Sequence, residues 1–173
     1  WIGGEHLSWA LKSMAAGLPY PFAVYSPGSH HGEMIEMIMA CNQFADQFLL
    51  VLCPSAIAHL HLKAADMHIT LPWHKLRYLV LGESFPEHMR AALHEQAAVA
   101  PGLPVMLSIY GSADTGVLGA ESPASAALRA LLTRNSAARA ALGVSEPVPL
   151  FFHAASHGVL LETVHQELCV TKW

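Results

Sequence analysis

Apolar positions change their period several times along this chain, and the changes predict an alternation of helices and short strands. His6 to Ala16 reads as a helix, closed by Gly17 and the Pro19/Pro21 pair. Phe22-Ala23-Val24-Tyr25 reads as a short buried strand, broken by Ser26-Pro27-Gly28-Ser29. From Glu33 to about Phe48, the positions Met34, Ile35, Ile38, Cys41, Ala45 and Phe48 recur at helical spacing. Leu49-Leu50-Val51-Leu52 is a continuous apolar strand stopped by Cys53-Pro54-Ser55. A helix from Ala56 to about Met67 precedes the strand Leu76-Arg77-Tyr78-Leu79-Val80-Leu81. Pro86 opens a helix through Ala98, with Met89 and Leu93 four apart on one side. Pro101-Gly102 then returns the chain to a strand over residues 105–109.

Strands that are apolar throughout and alternate with helices point to an α/β fold with a mainly parallel sheet flanked by helices. After Gly119 the character changes. Residues 125–142 form an Ala- and Leu-rich helical hairpin or one broken helix, ended by Gly143. Val148-Pro149-Leu150-Phe151-Phe152, Val159-Leu160-Leu161-Glu162 and Glu167-Leu168-Cys169-Val170-Thr171 read as short strands of a small β-rich C-terminal segment. The expected division is an α/β nucleotide-binding lobe segment over 1–120, a helical insertion or hairpin over 121–145, and strands beginning a further subdomain over 146–173. A first residue of Trp1 and a final strand running to Trp173 suggest a piece of a longer chain.

Composition narrows the class. Of 173 residues, 53% are hydrophobic and 13% charged, which is too apolar for disorder and sufficient for one core. No run approaches the ~20 apolar residues of a spanning helix, and no basic n-region precedes an apolar stretch. A cytoplasmic protein without a membrane partner is expected. Cys41, Cys53 and Cys169 form an odd set without a CxxC pair, as buried reduced thiols would. A formal charge of −4 argues against nucleic acid. Arg129, Arg134 and Arg139 recur by five, which keeps no common helical face, so solvated arginines are expected.

The chemistry concentrates in Ile109-Tyr110-Gly111-Ser112-Ala113-Asp114-Thr115-Gly116, where a glycine turn, hydroxyls and a carboxylate follow an apolar strand. A second strand end, Gly82-Glu83-Ser84, has the same form. In open α/β sheets ligands lie beyond the carboxyl ends of strands. Asp114 can cap a helix or hold a hard cation such as Mg²⁺, and Tyr110 offers a flat face to a ring. Glu83 has an alternative role, capping the helix after Pro86. Gly82-Glu83-Ser84-Phe85-Pro86 is not a G-x-S-x-G elbow, and no G-x-G-x-x-G or Walker sequence occurs. Pro27-Gly28-Ser29-His30-His31-Gly32 is a polar turn. Among twelve histidines, His30/His31 and His59/His61 lack H-E-x-x-H spacing; His153, His157, His165 and Cys169 converge only if the tail folds back. Surface or hydrogen-bonded histidines are expected, and Met34, Met37 and Met39 read as packing residues.

These segments together resemble the adenylate-forming carboxylate ligases, in the branch of phenylacetate–CoA ligase-like and phenazine-biosynthesis-associated proteins. Leu79-Val80-Leu81-Gly82-Glu83 resembles that family's strand ending in Gly-Glu. Tyr110-Gly111-Ser112-Ala113-Asp114 resembles its Tyr-Gly-x-Thr-Glu motif, with Ala113 and Asp114 in place of threonine and glutamate. Val24-Tyr25-Ser26-Pro27-Gly28, Leu52-Cys53-Pro54-Ser55 and Glu167-Leu168-Cys169-Val170-Thr171 are similar to flanking strand segments. The resemblance implies part of an adenylate-forming lobe and ATP-dependent conversion of a small-molecule carboxylic acid to an acyl-adenylate. CoA is then a candidate acceptor. It implies that Tyr110, Gly111, Glu83 and Ser84 border the nucleotide, that Ser112 borders nucleotide and acyl group, and that Asp114 holds Mg²⁺. The family's Ser/Thr/Gly-rich phosphate loop, Tyr-Arg-x-Gly-Asp segment and lysine-bearing domain have no counterpart in these residues. The chain alone is therefore expected not to catalyse adenylation; a non-catalytic nucleotide-binding or assembly domain, including a homo-oligomer, is the alternative.

Overall fold

Two predominantly apolar runs set the architecture. Phe48–Leu52 (β1) pairs in parallel with Leu76–Val80 (β2), Phe48 opposite Leu76 and Leu52 opposite Val80. The structure, a computed structural model, describes residues 2–100, 102–155 and 158–172. Pro101 of the expected turn, His157, and the terminal Trp1 and Trp173 lie outside the described residues. The order of the remaining elements is helix α1 (Ile2–Ala15), α2 (His31–Cys41), β1, α3 (Pro54–Asp66), a short 3-10 turn (Trp73–Lys75), β2 and α4 (Glu87–Ala97). Then follow β3 (Met106–Ser112), β4 (Gly116–Ala120), α5 (Pro123–Arg134), α6 (Ser136–Ala141), β5 (His153–Ala154), β6 (Val159–Val164) and β7 (Glu167–Lys172).

β3 joins β2 in parallel, with Val80 opposite Ser108. β4 and β5 continue the sheet antiparallel, giving the order β1-β2-β3-β4-β5, while β6 and β7 form a separate hairpin. The fold is thus mixed α/β, with a five-stranded, mostly parallel sheet, helices and a small C-terminal sheet. Leu76, Tyr78 and Val80 turn one face of β2 into the core. There they meet Ile35 and Ile38 of α2, Ile57, Leu60 and Ala64 of α3, and Leu93 and Ala97 of α4. Each large aliphatic buried this way contributes roughly 1.5–3 kcal/mol relative to exposure. The other sheet face is less covered: Leu49 is 43% exposed, and Arg77, Leu79, Leu107 and Ile109 are half-buried.

Several boundaries depart from the periodicity. α2 stops at Cys41 rather than running to Phe48. The Lys75 Nζ donates to the carbonyls of Asn42 (2.7 Å) and Ala45 (2.9 Å), and this satisfies the end of the helix. Phe48 is thereby released to pair with Leu76. Phe22-Ala23-Val24-Tyr25 is irregular rather than a buried strand. Pro19 and Pro21 remove two backbone donors just before it, and Tyr25 is 49% exposed. Val148-Pro149-Leu150-Phe151-Phe152 is also irregular, because the Val148 carbonyl accepts from Arg129 Nε (3.3 Å) instead of a ladder partner. The strand there is only His153–Ala154. Cys41, Cys53 and Cys169 are free but half-buried rather than buried. Met34 is in the core as expected, whereas Met39 is 39% exposed.

His61 behaves as a hydrogen-bonded histidine, its Nε2 3.2 Å from the Tyr78 hydroxyl. Burial holds its pKa below the ordinary histidine value. The unfolded chain therefore binds this proton first, so stability falls as pH drops below about 6.5. The expected slope is at most about 1.4 kcal/mol per pH unit, the limit for one proton. Urea unfolding of His61→Gln between pH 7.5 and 5.5 should show a flatter pH dependence than the parent.

Candidate functional site

Two parallel strands ending side by side bring their following loops to one edge of the sheet. β1 ends at Leu52, and the chain turns at Cys53 into α3, with Pro54 at its first turn. β2 ends at Val80, and the positive-φ Gly82 (φ 82°) turns the chain so that Glu83 reaches back toward α3. The Glu83 carboxylate accepts from the Ser55 amide (3.0 Å) and the Ser55 hydroxyl (2.8 Å). Glu83 therefore caps α3, not the helix after Pro86 as its alternative role had it. Neither Cys53, the N-cap of α3, nor Pro86, that of α4, makes a side-chain cap, and α3 instead receives a carboxylate from outside its own sequence. The Ser55 hydroxyl and amide pull the Glu83 pKa below the ordinary carboxylate value. The carboxylate is exposed and charged at neutral pH.

The third component stands on β3. Tyr110 lies two residues beyond Ser108, the partner of Val80, and so roughly 6.6 Å further along the same edge. Its ring is 46% exposed and stacks on Phe152, with centroids 5.5 Å apart and planes 29° apart. Gly111 is not in a turn. It lies inside β3, at an irregularity between Tyr110 and Gly111, and pairs with Val117. The turn is instead residues 113–115, closed by Ser112 Oγ, which accepts from the Thr115 amide (3.1 Å) and lies 2.8 Å from the Thr115 hydroxyl. Asp114 is exposed at the tip of this hairpin, and no hydrogen bond or ion pair joins it to Glu83 among the described residues. Ser84 is exposed in the loop after β2.

The donors fit a Mg²⁺ ion only in one arrangement. No group of three or more His, Cys, Asp or Glu side chains able to hold a metal occurs among the described residues. Asp114 offers a single carboxylate, and Mg²⁺ accepts one carboxylate when phosphate oxygens and water complete its octahedron. The ion would thus arrive with a phosphorylated ligand rather than occupy a protein cage.

Behind this edge lies a group of charges that the sequence pattern did not expose. Arg129 is buried, not solvated: its Nη1 donates to Glu87 (3.0 Å) and its Nη2 to the Phe85 carbonyl (2.7 Å). Arg90 Nη2 binds both oxygens of Glu121 (2.9 and 2.8 Å), and Glu121 also accepts from the Ser108 amide (2.8 Å). Both guanidiniums sit on the Phe85 ring, 5.0 and 4.9 Å from its centroid. Burial pushes the Glu87 pKa up and the Arg129 pKa down, against their charges. Arg139, by contrast, ion-pairs with the exposed Glu146 and donates to the Leu132 carbonyl at 2.7 Å. Arg134 is the exposed member of the three.

A separate open groove of about 550 Å³ lies between the start of α2 and one side of α3, lined by His30, His31, Glu33, His59, Lys63 and Asp66 among others. The polar turn at His30 and His31 thus borders a concavity. Tyr25 adjoins it by donating to Glu33. No helix among the described residues is long and apolar enough to cross a membrane. Comparisons with protein-family models, curated proteins and solved structures return no match to this chain.

Proposed function

We propose that this chain supplies the nucleotide-binding edge of an enzyme that converts a carboxylic acid to an acyl-adenylate with ATP and Mg²⁺. The observation that carries the reading is that Ser55–Glu83 and Tyr110 stand at the carboxyl ends of neighbouring parallel strands, the edge where α/β sheets bind ligands. Tyr110, backed by Phe152, offers an aromatic wall to adenine, and Gly111 lets the backbone approach. Glu83, held on Ser55, and Ser84 offer polar groups beside it. Asp114 would hold Mg²⁺ brought in with the nucleotide, and Ser112 borders the acyl end of the site. A bound cation supplies neutralisation of the triphosphate as the acid anion approaches its α-phosphorus. CoA is the candidate acceptor of the acyl group. The phosphate-loop and lysine-bearing segments of such an enzyme are not among these 173 residues, so binding without turnover is the expected behaviour of this chain.

Titration calorimetry with MgATP tests the reading. Binding is expected, and Tyr110→Ala should weaken it about tenfold, the effect of losing one base-stacking contact of roughly 1–3 kcal/mol. Pyrophosphate release with a panel of carboxylic acids should stay at background. A parent chain indifferent to MgATP rejects the nucleotide assignment, and sustained pyrophosphate release rejects the division of labour.

The groove beside Tyr25 favours a second reading, a doubly wound domain that binds a nucleotide or methyl donor there. The two readings separate by location. Ligand-induced amide shifts at His31, Glu33 and His59, with none at Tyr110, support the second.

A further inference from the structure

The buried charges behind the edge touch both of its halves. Arg129 Nη2 holds the carbonyl of Phe85, the residue next to Ser84, and Glu121 holds the amide of Ser108, two residues before Tyr110. Arg90 connects the two attachments, because its Nη2 donates to both Glu121 oxygens and its Nε lies 3.5 Å from Glu87, the partner of Arg129. Phe85 packs against both guanidiniums and is 3% exposed. We infer that Arg90, Arg129, Glu87 and Glu121, through Phe85, are positioning residues that fix the Glu83–Ser84 loop relative to Tyr110.

The argument is one of cost and geometry. Burying ion pairs gains little over apolar packing of the same volume, because each ion must be desolvated. Here the desolvation is visible as pKa values displaced against the charges of Glu87 and Arg129. Among the described residues, Nε and Nη1 of Arg90 are buried without a hydrogen-bond partner, a further cost that apolar side chains would avoid. What apolar side chains lack is direction. A guanidinium that donates at once to the Val148 carbonyl, the Phe85 carbonyl and Glu87 fixes three chain segments at set angles. The loop from Gly82 to Pro86 has no ladder of its own to hold it, and Glu83 reaches Ser55 only if that loop stays in place.

Arg129→Lys and Phe85→Leu test this. Lysine keeps the charge opposite Glu87 but cannot serve the two carbonyls as well, and leucine removes the ring that both guanidiniums pack against. In either folded variant the Ser55 amide should exchange at least tenfold faster, and the Glu83 carboxyl should titrate closer to its ordinary value. Ile35→Val, a core change in α2, controls for lost stability and should move neither. Unchanged Ser55 exchange and Glu83 titration in a folded network variant overturn the inference. Exchange of the parent chain in sub-denaturing urea needs no variant: Ser55 and Ser108 amides should open in one step, and independent opening overturns it too. Tenfold weaker MgATP binding in the variants is a last readout that rests on the nucleotide reading. A parent that fails to bind MgATP removes that reading and leaves the exchange and titration results to decide the positioning.

Discussion

Replacing Arg129 with methionine should destabilise the protein by about 3–5 kcal/mol, the usual cost of stranding one partner of a buried ion pair. Methionine fills most of the volume, so the loss is electrostatic and polar rather than a cavity. Glu87 would remain buried beside it with Arg90 at 3.5 Å, and the carbonyls of Phe85 and Val148 would lose a donor each. An orphaned buried acceptor costs on the order of 1–3 kcal/mol, so the total lies at the upper end of single substitutions. Arg134→Met, five residues on along the same chain but exposed, should stay within about 0.5 kcal/mol. Urea denaturation of the two variants beside the parent measures both. The deficit of Arg129→Met should persist at high salt, because buried pairs are screened far less than exposed ones. Equal midpoints for the two variants would show that Arg129 is solvated after all.

The contrast between these two arginines marks what the sequence carries and what it does not. Apolar runs at 49–52 and 76–81 are local signals, and both become neighbouring parallel strands. The strand ends at Glu83 and Tyr110 follow from the same runs. The partners that complete the edge are not local. Ser55 lies 28 residues from Glu83, and Arg129 lies 42 residues from Glu87; no spacing rule joins them. Regular spacing by five suggested that Arg129, Arg134 and Arg139 share one fate, whereas packing against Phe85 separates them. Where the local signal misled, a long-range polar contact intervened. Lys75 ended α2 early, and Arg129 took the carbonyl that a strand through Val148 would have used. One cue was present: Ser122 with Pro123 and Ser125 forms a capping box, which places the start of α5 and hence the inward face bearing Arg129.

Gly111 is the other position at which a single atom should have a large effect. A Cβ there would lie 2.1 Å from the Gly116 carbonyl oxygen and 3.0 Å from the Val117 Cα, both backbone atoms that no rotamer change can move aside. The chain irregularity between Tyr110 and Gly111 brings β4 this close, and only hydrogen fits the gap. Gly111→Ala must therefore open the β3–β4 ladder. The expected loss is about 3 kcal/mol, the upper range for forcing atoms into a packed site, read as a lowered urea midpoint. The damage should be local in the folded variant. β4 also carries Gly119, where a Cβ would meet the His153 carbonyl oxygen at 2.9 Å and Phe152 Cβ at 3.0 Å, so displacing β4 disturbs the ring that backs Tyr110. Tyr110 and Phe152 ring resonances should shift together, while Ser55 and Glu83 keep theirs, because the buried network grips β3 at Ser108, before the irregularity, and not at the hairpin. Uniform shifts across both groups would mean that displacement of the hairpin passes Ser108 and reaches Glu83 through the buried network.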